Sequence, residues 1–213
     1  MKKNIVLFVL FILPIVAYLF FASGVNSYTK LPIITTKTAD FGNWESLSGK
    51  KISLDSKVTI LGFGGTELLN NRGNLYNLNQ KVYQRYHGFK DLQFVYLCPL
   101  GTEKDAERIF KALGTYTEVN QWQFVFATPE AIAAYHKQLH LVDKLDANLG
   151  TSMIYILDKE RNLRGRKDRN DYKEGYDTFH PSELSNEMLD DFKVILYEYR
   201  AALKKNNNAS RKI

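Results

Sequence analysis

The side chains able to do thiol or metal chemistry are few: one cysteine and four histidines in 213 residues. Cys98 ends an apolar run and precedes Pro99. As a nucleophile it would need exposure and a lowered pKa, and a helix N-terminus following it could depress that pKa. The plainer reading is a small, half-buried residue at a strand end. A lone cysteine excludes an internal disulfide and dithiol–disulfide exchange within one chain. His136 and His140 stand four residues apart, so on one helix they share a face. That spacing can hold a metal, as in a metalloprotease helix. Here no Glu follows the first histidine, and Asp143 or Asp146 would have to complete the ligand set. A solvated pair competes with this reading. His87 falls where a helix ends and could complement its dipole, and His180 precedes Pro181 in a loop.

Other patterns carry less chemistry. Gly62, Gly64 and Gly65 suggest a phosphate loop, but no Gly-Lys-Ser/Thr follows them. Close backbone packing at a strand end accounts for them better. Residues 159–169 hold six basic and two acidic side chains. This stretch reads as a solvated, charged loop that could meet an acidic partner or a lipid headgroup. The next segment, NDYKEGYDTF at 170–179, either carries recognition or packs on the terminal helix. No Ser-His-Asp set and no carboxylate pair is visible.

These residues must be positioned by an alternation of strands and helices. VTILGF (58–63), LQFVYL (92–97), WQFVF (122–126) and MIYIL (153–157) are short, apolar, β-rich runs. Between them, Leu75, Leu78, Val82 and Tyr86 recur at helical spacing, as do Ile109, Phe110 and Leu113 after an N-capping Thr102. Thr128-Pro129-Glu130 is a helix start, and that helix should reach about His140. A short strand near Leu163 pairs back as a hairpin. Leu184, Met188, Leu189, Phe192, Ile195, Leu196 and Tyr199 stripe a last helix to about Lys204. Residues 44–54 read as a small hairpin turning at Ser-Gly. A βαβαβ unit, a hairpin and a terminal helix make an α/β, thioredoxin-like arrangement: a central mixed sheet flanked by helices.

Residues 5–22 form an uncharged apolar run of 18. As a helix it spans about 27 Å, close to the roughly 30 Å of a hydrocarbon core. Lys2 and Lys3 precede it, as in a signal anchor. The run exceeds the roughly 7–15 apolar residues of a cleaved signal peptide, which favours an uncleaved anchor. Ala22-Ser23-Gly24 still offers a peptidase small residues. No cysteine follows, so a lipobox is excluded. The division read from the sequence is an anchor or signal peptide at 1–23, a connector at 24–45 extending away from the bilayer, one domain at 46–204 and a flexible basic tail at 205–213. The net charge is +6. Setting aside Lys2, Lys3, Lys204, Lys205, Arg211 and Lys212 leaves the domain near neutral, which removes support for a nucleic-acid partner.

The chain resembles the SCO/SenC family, membrane-anchored thioredoxin-like copper proteins that help assemble cytochrome c oxidase. The residues carrying the resemblance are the anchor, KVTILGFGGT (57–66), QFVYLCPLGTEKDAE (93–107), TSMIYILDKERNLRGR (151–166) and NEMLDDFKVILYEYRAALKKN (186–206). Family members place a Cys-x-x-x-Cys after the first core strand and a His just before the fourth. Aligned on Phe63-Gly64-Gly65-Thr66, this chain has Leu68 and Arg72 at the cysteine positions; aligned on Tyr155, it has Gly150 at the histidine position. Thiolates plus imidazole suit copper, and Leu, Arg and Gly do not. The resemblance therefore implies a non-catalytic binding or assembly factor without a metal or cofactor. It would be a single-pass protein of the bacterial inner membrane with its domain facing the periplasm. A protein partner within respiratory oxidase biogenesis goes with that reading. The alternatives are a one-Cys thiol redox or peroxidase-like protein using Cys98, and a metal module on His136 and His140.

Overall fold

The computed structural model describes residues 2–23, 30–115, 117–168 and 171–210. Helix α1 (Lys2–Ser23) carries the apolar run with Pro14 inside it. Its described large apolar side chains, from Phe8 to Leu19, are all exposed. Among the described residues, no helix is long and apolar enough to cross a membrane. On α1, however, the side chains of residues 2–7, 9 and 20–23 lie outside the description.

Residues 24–29 of the expected connector lie outside the described residues, and its described part packs on the domain rather than extending away from it. Strand β1 (Ile33–Thr35) pairs antiparallel with the later strand Leu163–Arg164. Leu31 and Phe41 are 8% and 2% exposed. The cause is composition: Leu31, Ile34, Phe41 and Trp44 are apolar groups with a core within reach. The segment 44–54 does turn at Gly49, whose N–H donates to the Ser46 carbonyl. Its outgoing arm makes only a bridge, Glu45 to Lys51. Strand β2 (Glu45–Ser46) instead edges the main sheet.

The sheet is built on three parallel strands: β3 (Val58–Gly64), β4 (Leu92–Pro99) and β5 (Trp122–Ala127). Strand β6 (Gly150–Leu157) runs antiparallel beside β3 and forms a hairpin with β7 (Leu163–Arg164). The order is β1-β7-β6-β3-β4-β5-β2. A separate ribbon of β8 (Arg166–Asp168) and β9 (Asp171–Lys173) follows, and β10 (Tyr176–Asp177) returns to β6. Every residue of β3 and β4 is buried, as their continuous apolar runs require of strands covered on both faces.

One face of the sheet is covered by α2 (Arg72–Leu78), α3 (Gln84–Tyr86), α4 (Glu103–Gly114) and the final α7 (Leu189–Ser210). Ile60, Phe94, Trp122 and Phe124 meet Leu75, Val82, Ile109 and Phe192 there. A π-helical turn, Asn79–Tyr83, joins α2 to α3 and brings both Val82 and Tyr83 into the core. The other face is covered by α5 (Pro129–Gln138) and by Phe41 and Leu54 of the N-terminal segment. Short helix α6 (Pro181–Glu183) leads through a second π-helical turn, Leu184–Met188, into α7. That last helix continues past Lys204 to Ser210. Thr128 caps α5 as its sequence demands, accepting from the Ala131 N–H. Thr102 does not cap α4: its hydroxyl donates to the Pro99 carbonyl, and Glu103 folds back onto the Gly101 N–H.

Candidate functional site

In a sheet of this kind, the C-terminal ends of β3 and β4 face the start of β6. Gly64 pairs with Gly150 across β3 and β6. Asp146 builds the loop before β6, its carboxylate accepting from the N–H groups of Asn148 and Gly150 at 2.8 Å each. That loop presses on β3. The Thr66 N–H donates to the Asn148 carbonyl at 2.8 Å. Gly65, at φ +68°, leaves no room for a side chain: a Cβ would sit 2.8 Å from that same carbonyl oxygen. The glycine run thus serves close backbone packing, as the sequence suggests.

The positions where copper ligands would stand hold other chemistry. Leu68 is completely buried. Its Cδ1 and the Cys98 Sγ both crowd Gly64, 2.6 and 2.9 Å from the point a Cβ would occupy. A leucine and a thiol therefore fill the end of β3. Arg72 is exposed at the start of α2 and donates to the Leu69 carbonyl at 2.9 Å. Gly150 offers only backbone. None of these three residues offers the soft side-chain donor that copper favours. Among the described residues, no group of three or more His, Cys, Asp or Glu could hold a metal ion.

Cys98 itself is fully buried. Burial pushes its thiol far above the ordinary range, and the Glu103 carboxylate pushes the same way. Its Sγ contacts the Tyr96 carbonyl at 3.7 Å. The idea that the α4 N-terminus would favour a thiolate is thereby corrected, because desolvation dominates. A one-cysteine redox site lacks both the access and the ionised form it requires.

The histidine pair is also rearranged. His136 lies on α5, half-buried, with its ring edge-on to Phe63 at a centroid distance of 5.1 Å. Its Nε2 is buried without a hydrogen-bond partner. Burial lowers its pKa, while Asp143 and Glu174 pull it back up. His140 is exposed, two residues past the end of α5, at φ +55°. The helix stops before its second turn of the i, i+4 pattern closes, so the two rings do not share a helical face. Asp143 is taken up by the Tyr155 and Thr151 hydroxyls at 3.3 and 3.4 Å. Asp146 is occupied by its own loop. His87 follows α3, its Nδ1 2.9 Å from the Gln84 carbonyl, and His180 pairs with Asp177 at 2.8 Å in the loop before Pro181.

Four of the six basic side chains expected in a solvated loop are paired, while Lys167 is exposed and Arg169 lies outside the described residues. Lys159 pairs with Asp91, Arg161 with Asp55, Arg166 with Asp191, and Arg164 with both Asp158 and Glu198. Arg164 also donates to the Leu31 carbonyl and is only 6% exposed. The segment after it packs on α7, with buried Tyr176 donating to Asp191 at 2.7 Å. Nothing local in the sequence announced these pairs. The faint signal is the row of acids Glu187, Asp190, Asp191 and Glu198 in the terminal helix and the turn leading into it.

No family model and no curated protein matches the chain. Among solved structures, it is similar to a SCO1/SenC family lipoprotein from Bacillus anthracis str. Ames. That similarity has a TM-score of 0.58 at 14% identity, over 79% of this chain and 99% of the other. It is similar also to BsSco, a member of the Sco family of cytochrome c oxidase assembly proteins. There the TM-score is 0.53 at 12% identity, over 79% of this chain and 98% of the other. The domain therefore has the thioredoxin-like α/β fold, with a mixed central sheet, seen in SCO/SenC structures.

Proposed function

We propose that this chain is a membrane-anchored thioredoxin-like protein of SCO/SenC type that works by binding or assembling a partner protein. It carries neither copper nor a turning-over disulfide. The observation that supports this most is Leu68, fully buried against Gly64 and Cys98 where a dithiol would have to stand. A role beside respiratory oxidase assembly rests on analogy of fold with BsSco.

The apolar run at 5–22 supports a single span, and Lys2 and Lys3 ahead of it support a bacterial inner-membrane location with the domain in the periplasm. The near-neutral domain gives nucleic acid no electrostatic footing.

Titration of the full-length protein in detergent with Cu(I), against a competing chelator, tests the reading. No stoichiometric capture is expected, and tight one-to-one binding would overturn it. Affinity capture from the native membrane should co-purify oxidase subunits or their assembly proteins. Recovery of the chain without any stable companion would count against a partner-binding role.

A further inference from the structure

A groove of about 710 Å³ lies between the N-terminal segment 35–39 and the C-terminal end of α5. It is lined by Thr35, Thr36, Lys37, Thr38, Ala39, Ala134, Lys137, Gln138 and His140, with no acid among them. Lys37, Lys137 and His140 are exposed, and among the described residues none has an ion-pair partner. Asp40, the next residue along, is spent on the N–H groups of Phe41 and Leu54 and on the Ser53 hydroxyl. These donors are neutral, so Asp40 keeps its charge beside the groove, whose own lining holds two ammonium groups and no carboxylate.

The walls are held in place. The Thr35 hydroxyl donates to the Leu139 carbonyl at 2.7 Å, stitching the segment to the end of α5. The Lys37 N–H donates to Asn162 Oδ1 at 3.1 Å, and Thr38 donates twice to the Arg161 carbonyl. Lys37 and His140 both adopt left-handed backbone, at φ +46° and +55°. Side chains with a Cβ avoid that region unless the surroundings impose it. Here the imposed conformations fall on two of the groove's basic side chains.

We propose that this groove binds a phosphate group. Two ammonium groups, an imidazole N–H, the Thr36 hydroxyl and the Gln138 amide offer the donors that a tetrahedral anion with several acceptor oxygens takes. The phosphate could come from a lipid headgroup or from a soluble phosphate ester, and the proposal is independent of the assembly reading above.

The full-length protein is placed in maltoside micelles, which hold no phosphate, and titrated with inorganic phosphate at fixed ionic strength. In parallel it is placed in nanodiscs of phosphatidylcholine with and without phosphatidylglycerol. The readout is the His140 ring resonance, assigned with His140→Asn. Lys37→Asn and Lys137→Gln should each weaken the response about fivefold. Circular dichroism checks that these exposed substitutions keep the fold. A saturable response to inorganic phosphate assigns a soluble ligand. A response confined to phosphatidylglycerol discs assigns a headgroup. No response in either setting, or an undiminished one when Lys37→Asn and Lys137→Gln are combined, overturns the proposal and leaves Lys137 and His140 as complements of the α5 dipole.

Discussion

Leu68, fully buried at the end of β3, carries the proposed reading at the scale of single residues. In the proposed reading it stands at a ligand position of the family, and in the structure it is core. Leu68→Ala should cost about 2–5 kcal/mol, the range for a buried leucine that leaves a cavity. Urea denaturation would measure it, with an unchanged m-value. The same substitution should speed labelling of Cys98 by a thiol probe, whereas in the unsubstituted protein labelling should require unfolding. His136 makes a second prediction. Burial holds its folded pKa below the ordinary value of about 6.5. The unfolded chain therefore binds the proton first, and stability falls as pH drops through about 6.5. Above that value the contribution is complete. His136→Phe should flatten the loss, as read from denaturation midpoints between neutral and mildly acid pH. The sequence showed Leu68, Arg72 and Gly150 as departures from a ligand set. It could not show the fate of His140, because the end of α5 is set by Leu139 turning inward and not by any breaker at Gln138.

Among the elements, the four core strands and the main helices were legible because each pairs a strong period with clear punctuation. Val58–Gly64 is β-rich and ends in glycines; Thr128-Pro129-Glu130 opens α5. What escaped was long-range pairing. Arg164 lies 133 residues from Leu31 and 34 from Glu198 in sequence, yet joins both. It thus ties β1, β7 and α7 together through one buried guanidinium. Arg164→Met should cost about 3–5 kcal/mol, since Asp158 and Glu198 would be left largely buried and unpaired. Arg164→Lys should recover only part of that, because one ammonium cannot serve two carboxylates and a carbonyl in the same geometry. Thermal midpoints of the two variants would separate these outcomes.

For the whole molecule, the proposed span predicts that the full chain stays with membranes after washes with high salt and alkaline carbonate. A chain lacking residues 2–23 should leave with the soluble fraction. Sedimentation followed by immunoblotting reads both, and release of the intact chain by carbonate would remove the anchor. The packing of residues 30–45 on the domain then sets a leash. Read as a free connector, the 22 residues from 24 to 45 could reach about 75 Å. With Leu31 clamped by Arg164, only residues 24–29 separate the end of α1 from the domain, a reach of about 25 Å. A span at α1 would confine the domain to a thin shell above the bilayer. Its partner would have to offer its docking face within that shell, where a short leash raises the local concentration of any membrane-embedded target and excludes tall ones.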